Sequence, residues 1–183
     1  VGDSVFKLSG IELDIRSGPL TASGHLEYSN PVRYPGNILS PGIMGWYSFV
    51  PFMECYHGIL SMDHRIEGAL EINQTKIEFT GGLGYIEKDW GHSFPSAYIW
   101  MQSNHFSKNE ISFKAFVAKI PLLASSFVGF ISRLYLNKKL IQFTTYNSTE
   151  LVRSYADREK VELVMENKKY RLEIFALRNH STE

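Results

Sequence analysis

Apolar and polar positions alternate along most of this chain at the period of two that marks strands, and hardly anywhere at the spacing of a helix. Near the start, Val5 and Leu8 give way to Ile11, Leu13 and Ile15 set against Glu12, Asp14 and Arg16, and then to the run 20–28 beyond Ser17-Gly18-Pro19. That pattern predicts three strands joined by turns. Further strands are expected over 52–60 and 64–72, with His57 and His64 flanking a turn between them, and over 76–80 after a turn at Asn73-Gln74. Later ones fall at 111–120, 127–136 and 140–147, with a turn at Asn137-Lys138, and in a last hairpin, 160–166 and 169–178, closed at Asn167-Lys168. Single helical turns near Leu123 or across 155–160 are the only helical candidates.

Residues 30–51 break the alternation. Pro31, Pro35, Gly36, Pro41, Gly42, Gly45 and Pro51 forbid regular structure there, yet Ile43, Met44, Trp46, Tyr47 and Phe49 are apolar. A solvated linker has no use for such side chains, so the loop reads either as a cover over a pocket, with Trp46 on the ligand, or as core packing.

The densest chemistry lies between Gly84 and Phe106, in GYIEKDWGHSFPSAYIWMQSNHF. At strand period Tyr85, Glu87 and Asp89 share one face, and Ile86, Lys88 and Trp90 the other. After the breaks at Trp90-Gly91 and Phe94-Pro95, the run 97–106 resumes, with Tyr98, Trp100, Gln102, Asn104 and Phe106 on one face. Two carboxylates beside aromatic surface and a few amides suit a small-molecule site. A carboxyl kept protonated by burial or by a second carboxylate is a proton donor, and aromatic faces stabilise a cation. The same pair would equally serve a buried network with Lys88, Arg65 or another base. His92, next to the carboxylates, is the acid–base auxiliary in the catalytic reading.

This stretch resembles the signature of the tocopherol cyclase-like family. Tyr85, Glu87, Lys88, Trp90, Gly91, Phe94, Pro95, Trp100, Gln102, Asn104 and Phe106 all stand at matching positions, and a looser likeness runs from about Ile11 through SPGIMGWYSFVPFMECYHG to YRLEIFA. The likeness is closest to bacterial members of unassigned activity. Against the plant cyclases Asp89 stands where they tend to have Asn, His92 where they have Gly, and the region of Glu54 and Cys55 differs. The resemblance implies a lipocalin-like (calycin) barrel, or a β-sandwich of short antiparallel strands with little helix. It implies a hydrophobic isoprenoid or prenylquinol-type ligand, cyclised by alkene protonation without a cofactor, or carried without chemistry by a lipocalin-like lipid-binding protein. With that chemistry in view, the residues expected to be catalytic are Glu87, Asp89 and His92, and those expected to contact the ligand are Trp46, Tyr85, Lys88, Trp90, Tyr98, Trp100, Gln102 and Asn104.

Length and charge narrow the classes. At 183 residues the chain fits one barrel-like domain, and since family members are longer at both ends it is expected to be part of a longer two-barrel protein. With 19 basic and 19 acidic residues it has no electrostatic footprint for nucleic acid. The longest apolar run, 120–131, is too short for a membrane helix, and contact with a membrane surface is left open. The single cysteine, Cys55, fits a reducing, cytoplasmic compartment and reads as a small buried residue. The spacing of the histidines matches no metal motif, so no metal and no cofactor are expected, and the oligomeric state is left open.

Overall fold

The computed structural model of the chain describes residues 2–34, 36, 42–50, 55–107, 110–122 and 125–178, and of 121 and 122 the backbone alone. Among these residues it is all-β apart from one short 3-10 turn, Gly45–Phe49. The strands form antiparallel sheets, and none of the sheets closes into a barrel. The chain divides into two compact units, residues 1–92 with 103–112 and residues 93–102 with 113–183.

The first unit is one sheet. Strands β1 (Val5–Lys7), β2 (Gly10–Ser17) and β3 (Leu20–Ser29) form the expected meander, and β3 pairs with a long strand, β4 (Cys55–Ile72). The two strands expected over 52–60 and 64–72 are thus one, with residues 51–54 outside the described chain, and no turn separates His57 from His64. Asp63-His64-Arg65 looks like a polar break, but the strand absorbs it through register shifts between Ile59 and Ser61 and between Ser61 and His64. The far half of β4 pairs with β5 (Thr75–Glu78) and the near half with β6 (Gly82–Gly91). Between β4 and β5, Asn73 and Gln74 both have positive φ, 47° and 67°, as a two-residue type I′ hairpin demands.

The second unit holds two sheets. One runs β10 (Lys139–Thr144), β9 (Ser125–Leu136), β8 (Ile111–Leu122), β7 (Tyr98–Ser103), and the other β11 (Glu150–Ala156), β12 (Lys160–Glu166), β13 (Arg171–Leu177). Phe113, Ala115 and Val117 at period two on β8 meet Phe130, Phe143, Leu163 and Met165 in a buried core, with Leu151, Leu172 and Ile174 packed against it. This is the packing of a β-sandwich.

Strand β11 escaped the alternation pattern because a bulge between Leu151 and Arg153 breaks its phase. The helical turn considered for 155–160 is the tail of β11 and a tight turn, in which the Asp157 carboxylate accepts from the backbone N–H groups of Glu159 and Lys160 at 2.8 Å each. The turn considered at Leu123 lies outside the described residues. The expected strand 97–106 is shorter, since β7 ends at Ser103 and Asn104 and Phe106 follow in coil.

Leu163 is fully buried, so Leu163→Ala should lower stability by about 2–5 kcal/mol in urea unfolding. Phe175→Ala, at a position 62% exposed, should stay within about 0.5 kcal/mol of the parent.

Candidate functional site

The register between β4 and β6 places Cys55 opposite Gly91, His57 opposite Asp89 and Ile59 opposite Glu87. Directly opposed residues of antiparallel strands point the same way, so one face of this ribbon gathers a thiol, an imidazole and both carboxylates. The shared face of Tyr85, Glu87 and Asp89 is as the alternation predicts. The base they meet is His57, whose Nδ1 lies in hydrogen-bond contact with Asp89 Oδ1 and 3.6 Å from Glu87 Oε1.

Burial grades these groups. The His57 side chain is 4% exposed and that of Glu87 7%, whereas Asp89 keeps 28% and so faces out of the cluster. A carboxylate and an imidazole withdrawn from water this far need each other, because an uncompensated buried charge costs several kcal/mol. Tyr85 donates its hydroxyl to Glu87 Oε2 at 2.8 Å. Its own ionisation is pushed far up, first by burial and then by the neighbouring charges of Glu87 and Asp89, so it remains a phenol that donates. The cluster gathers Tyr85, Glu87, His57 and Asp89, with both carboxylates facing the same Nδ1 of His57 and Asp89 the member that reaches solvent.

The opposite face of the ribbon carries aromatic surface. Trp90 stacks on Tyr56 at 5.7 Å, and the Lys88 ammonium sits 4.7 Å from the Trp90 ring centre. Gly58 makes this possible, since a Cβ there would come within 3.3 Å of the indole. The loop segment 42–50 leans on the same strand. The backbone N–H of His57 points at Met44 Sδ, 3.1 Å away, and Tyr56 donates its hydroxyl to the Val50 carbonyl at 3.1 Å. Ile43 and Met44 are buried while Trp46, stacked on Tyr47, is 52% exposed. Residues 37–41 of the expected cover lie outside the described chain.

The other expected site residues fall elsewhere. His92 follows the end of β6 and is exposed, and the imidazole that meets the carboxylates is His57. Sequence spacing could not single it out, because it reaches them across a strand pair that β5 interrupts in the chain. Tyr98, Trp100 and Gln102 lie on β7 in the second unit, where Tyr98 packs 5.9 Å from Phe116. Asn104 belongs to the first unit and is buried, donating to Asp63 Oδ1 at 3.2 Å and to the Gly84 carbonyl at 3.0 Å. Beside it His64, also buried, contacts Ser61 Oγ through Nδ1 at 3.0 Å and packs 4.5 Å from Tyr28. Gly84 leaves the room for that ring, since a Cβ on it would lie 2.1 Å from His64 Nε2. Asn104 thus ties a structural knot further along the β4–β6 pair.

Antiparallel sheets with a largely buried carboxylate–imidazole cluster at one strand pair define an all-β protein with polar side chains gathered at one end of its first sheet. The chain belongs to the tocopherol cyclase-like family, whose profile matches residues 27–182. It is 33% identical over 92 residues to the "Probable tocopherol cyclase, chloroplastic" of Oryza sativa subsp. japonica, a match covering 49% of this chain and 20% of the rice protein. It is 31% identical over 102 residues to the "Tocopherol cyclase, chloroplastic" of Zea mays, covering 53% of this chain and 22% of the maize protein. The chain therefore spans about a fifth of the length of the curated relatives it matches. No solved structure matches it. No helix among the described residues is long and apolar enough to cross a membrane.

His64 sets a pH response. Burial holds its imidazole below the usual value of 6.5, and the Asp63 charge opposes that only in part. The unfolded chain then binds a proton more readily than the folded one, so this contribution is complete above pH 6.5 and is lost as pH falls through the lower folded value. Asp63, raised by burial, works in the opposite sense at more acid pH. Urea midpoints measured from pH 7.5 to 5 should fall on acidification in the parent and fall less in His64→Asn.

Proposed function

We propose that this chain is part of a longer cyclase-like protein that binds a hydrophobic isoprenoid or prenylquinol-type molecule and cyclises it by protonating an alkene. Family membership supports the class of chemistry. The observation that carries the mechanism is the convergence of Glu87 and Asp89 on the buried His57, with Tyr85 bonded to Glu87.

Such a cyclisation needs a proton placed on a trisubstituted alkene, a tertiary cation held briefly, and a phenol oxygen that closes the ring. The proton gained by the alkene is matched by the one lost from the phenol, so the reaction is an isomerisation and consumes no cofactor. In this reading the Glu87–His57–Asp89 cluster supplies the first proton from its exposed end and accepts the second. Tyr85 holds Glu87 in place, and its ring, on the same strand face as the two carboxylates, is the candidate for stabilising the cation. Trp46 and Phe49, 52% and 62% exposed, present apolar surface through which the loop could meet a prenyl chain or a membrane surface.

In the full-length protein supplied with a prenylated quinol, Glu87→Gln should lower kcat by about 10²-fold or more and leave KM within about threefold, because a proton donor acts in the transition state, while Asp89→Asn, which installs the residue the plant cyclases tend to have, should lower kcat by less. Product is read by mass spectrometry. Full turnover in both variants would overturn the mechanism. A parent protein that binds the quinol and never converts it would be the noncatalytic lipid carrier instead.

A further inference from the structure

The face that carries the carboxylates also carries donors of a second kind of chemistry. Cys55 and His57 stand two apart on β4, Asp89 faces His57 from β6, and one donor atom from each lies within 4.8 Å of the others. Cys55 is 8% exposed and His57 6%, so two of the three donors approach from the buried side while Asp89 leaves a route from solvent. Gly91, opposite Cys55, adds no side chain to the space between them.

We propose that Cys55 Sγ, the His57 imidazole and the Asp89 carboxylate form a site for a divalent transition metal, with zinc the ion whose chemistry fits best. Thiolate, imidazole and carboxylate are its usual protein ligands, at about 2.0–2.3 Å, and a mixed set of this softness disfavours magnesium or calcium. Around one tetrahedral ion the ligand atoms stand about 3–4 Å apart, so the trio needs only local adjustment. The contact between His57 Nδ1 and Asp89 opens, and the ion takes the place of the shared proton. Cys55 is at present a weak donor to the Tyr56 carbonyl at 3.7 Å, and it loses its proton on binding. Three protein ligands leave a fourth position, and Glu87 Oε1, 3.6 Å from His57 Nδ1, stands close to it. Spacing along the chain hides this set because its members come from two strands that are paired in space and separated by β5 in sequence.

The proposal stands apart from the cyclase reading, since it needs the three donors and no substrate. With the ion in place Asp89 and His57 are ligands, and the Tyr85–Glu87 pair alone retains an acid proton. The test is cobalt(II) titration of the full 183-residue chain, whose one cysteine is Cys55. One equivalent should produce a thiolate-to-cobalt charge-transfer band in the near ultraviolet together with the visible bands of a tetrahedral ion, and zinc should bleach both. Because no other thiol exists in the chain, that band reports Cys55 even without a variant. Cys55→Ser should abolish it, His57→Ala and Asp89→Asn should each weaken cobalt binding by about tenfold or more, and His25→Ala, on exposed β3, should change nothing. A folded parent chain that gives no thiolate band at stoichiometric cobalt overturns the proposal. So does cobalt affinity that stays within twofold in all three ligand variants.

Discussion

Everything in the first unit depends on how β4 and β6 are registered. Their pairing fixes which side chains face one another, and a slip of one residue would send Glu87 and Asp89 to the face now held by Lys88 and Trp90. Burial enforces the register from both ends. At one end His57 and Glu87 have left water and require each other, and at the other Asn104 joins Asp63 to the Gly84 carbonyl. The pairing therefore carries chemistry and stability together, and a fault in either end is felt by the sheet.

The cluster that results is economical. A single imidazole faces two carboxylates of different exposure, and the more buried one is held by a tyrosine that cannot ionise beside it. Tyr85 thereby satisfies one oxygen of the buried Glu87, and Asp89 pairs the buried imidazole. The adjoining loop adds Met44 against the His57 backbone and Val50 against the Tyr56 hydroxyl, which makes the strand end a packed site and not a frayed edge.

Most of the architecture was legible from alternation, and the turns were legible from their residues. Asn73-Gln74 and Asn137-Lys138 both take the left-handed backbone that asparagine tolerates, with φ of 47° and 67° and of 48° and 61°. The failures share one cause, loss of phase. A bulge hid β11, and two irregularities inside β4 made one strand look like two. In the site, the common face of Tyr85, Glu87 and Asp89 follows from period two alone. His57 did not, because its place beside them is set by a strand pairing that local sequence does not state. Asn104 was counted with the β7 face and instead leaves that strand to serve the knot around Asp63.

The irregularities in β4 have one further effect. Between the Ile59–Glu87 and His64–Gly84 pairs β4 advances five residues while β6 advances three. Each shift turns the strand over once, so the two together restore the facing while lengthening one side. The knot and the cluster thus keep their side chains in register across an uneven stretch of β4. Two added residues on β4 alone bend that strand and sharpen its local twist, so the ribbon curves between the cluster and the knot.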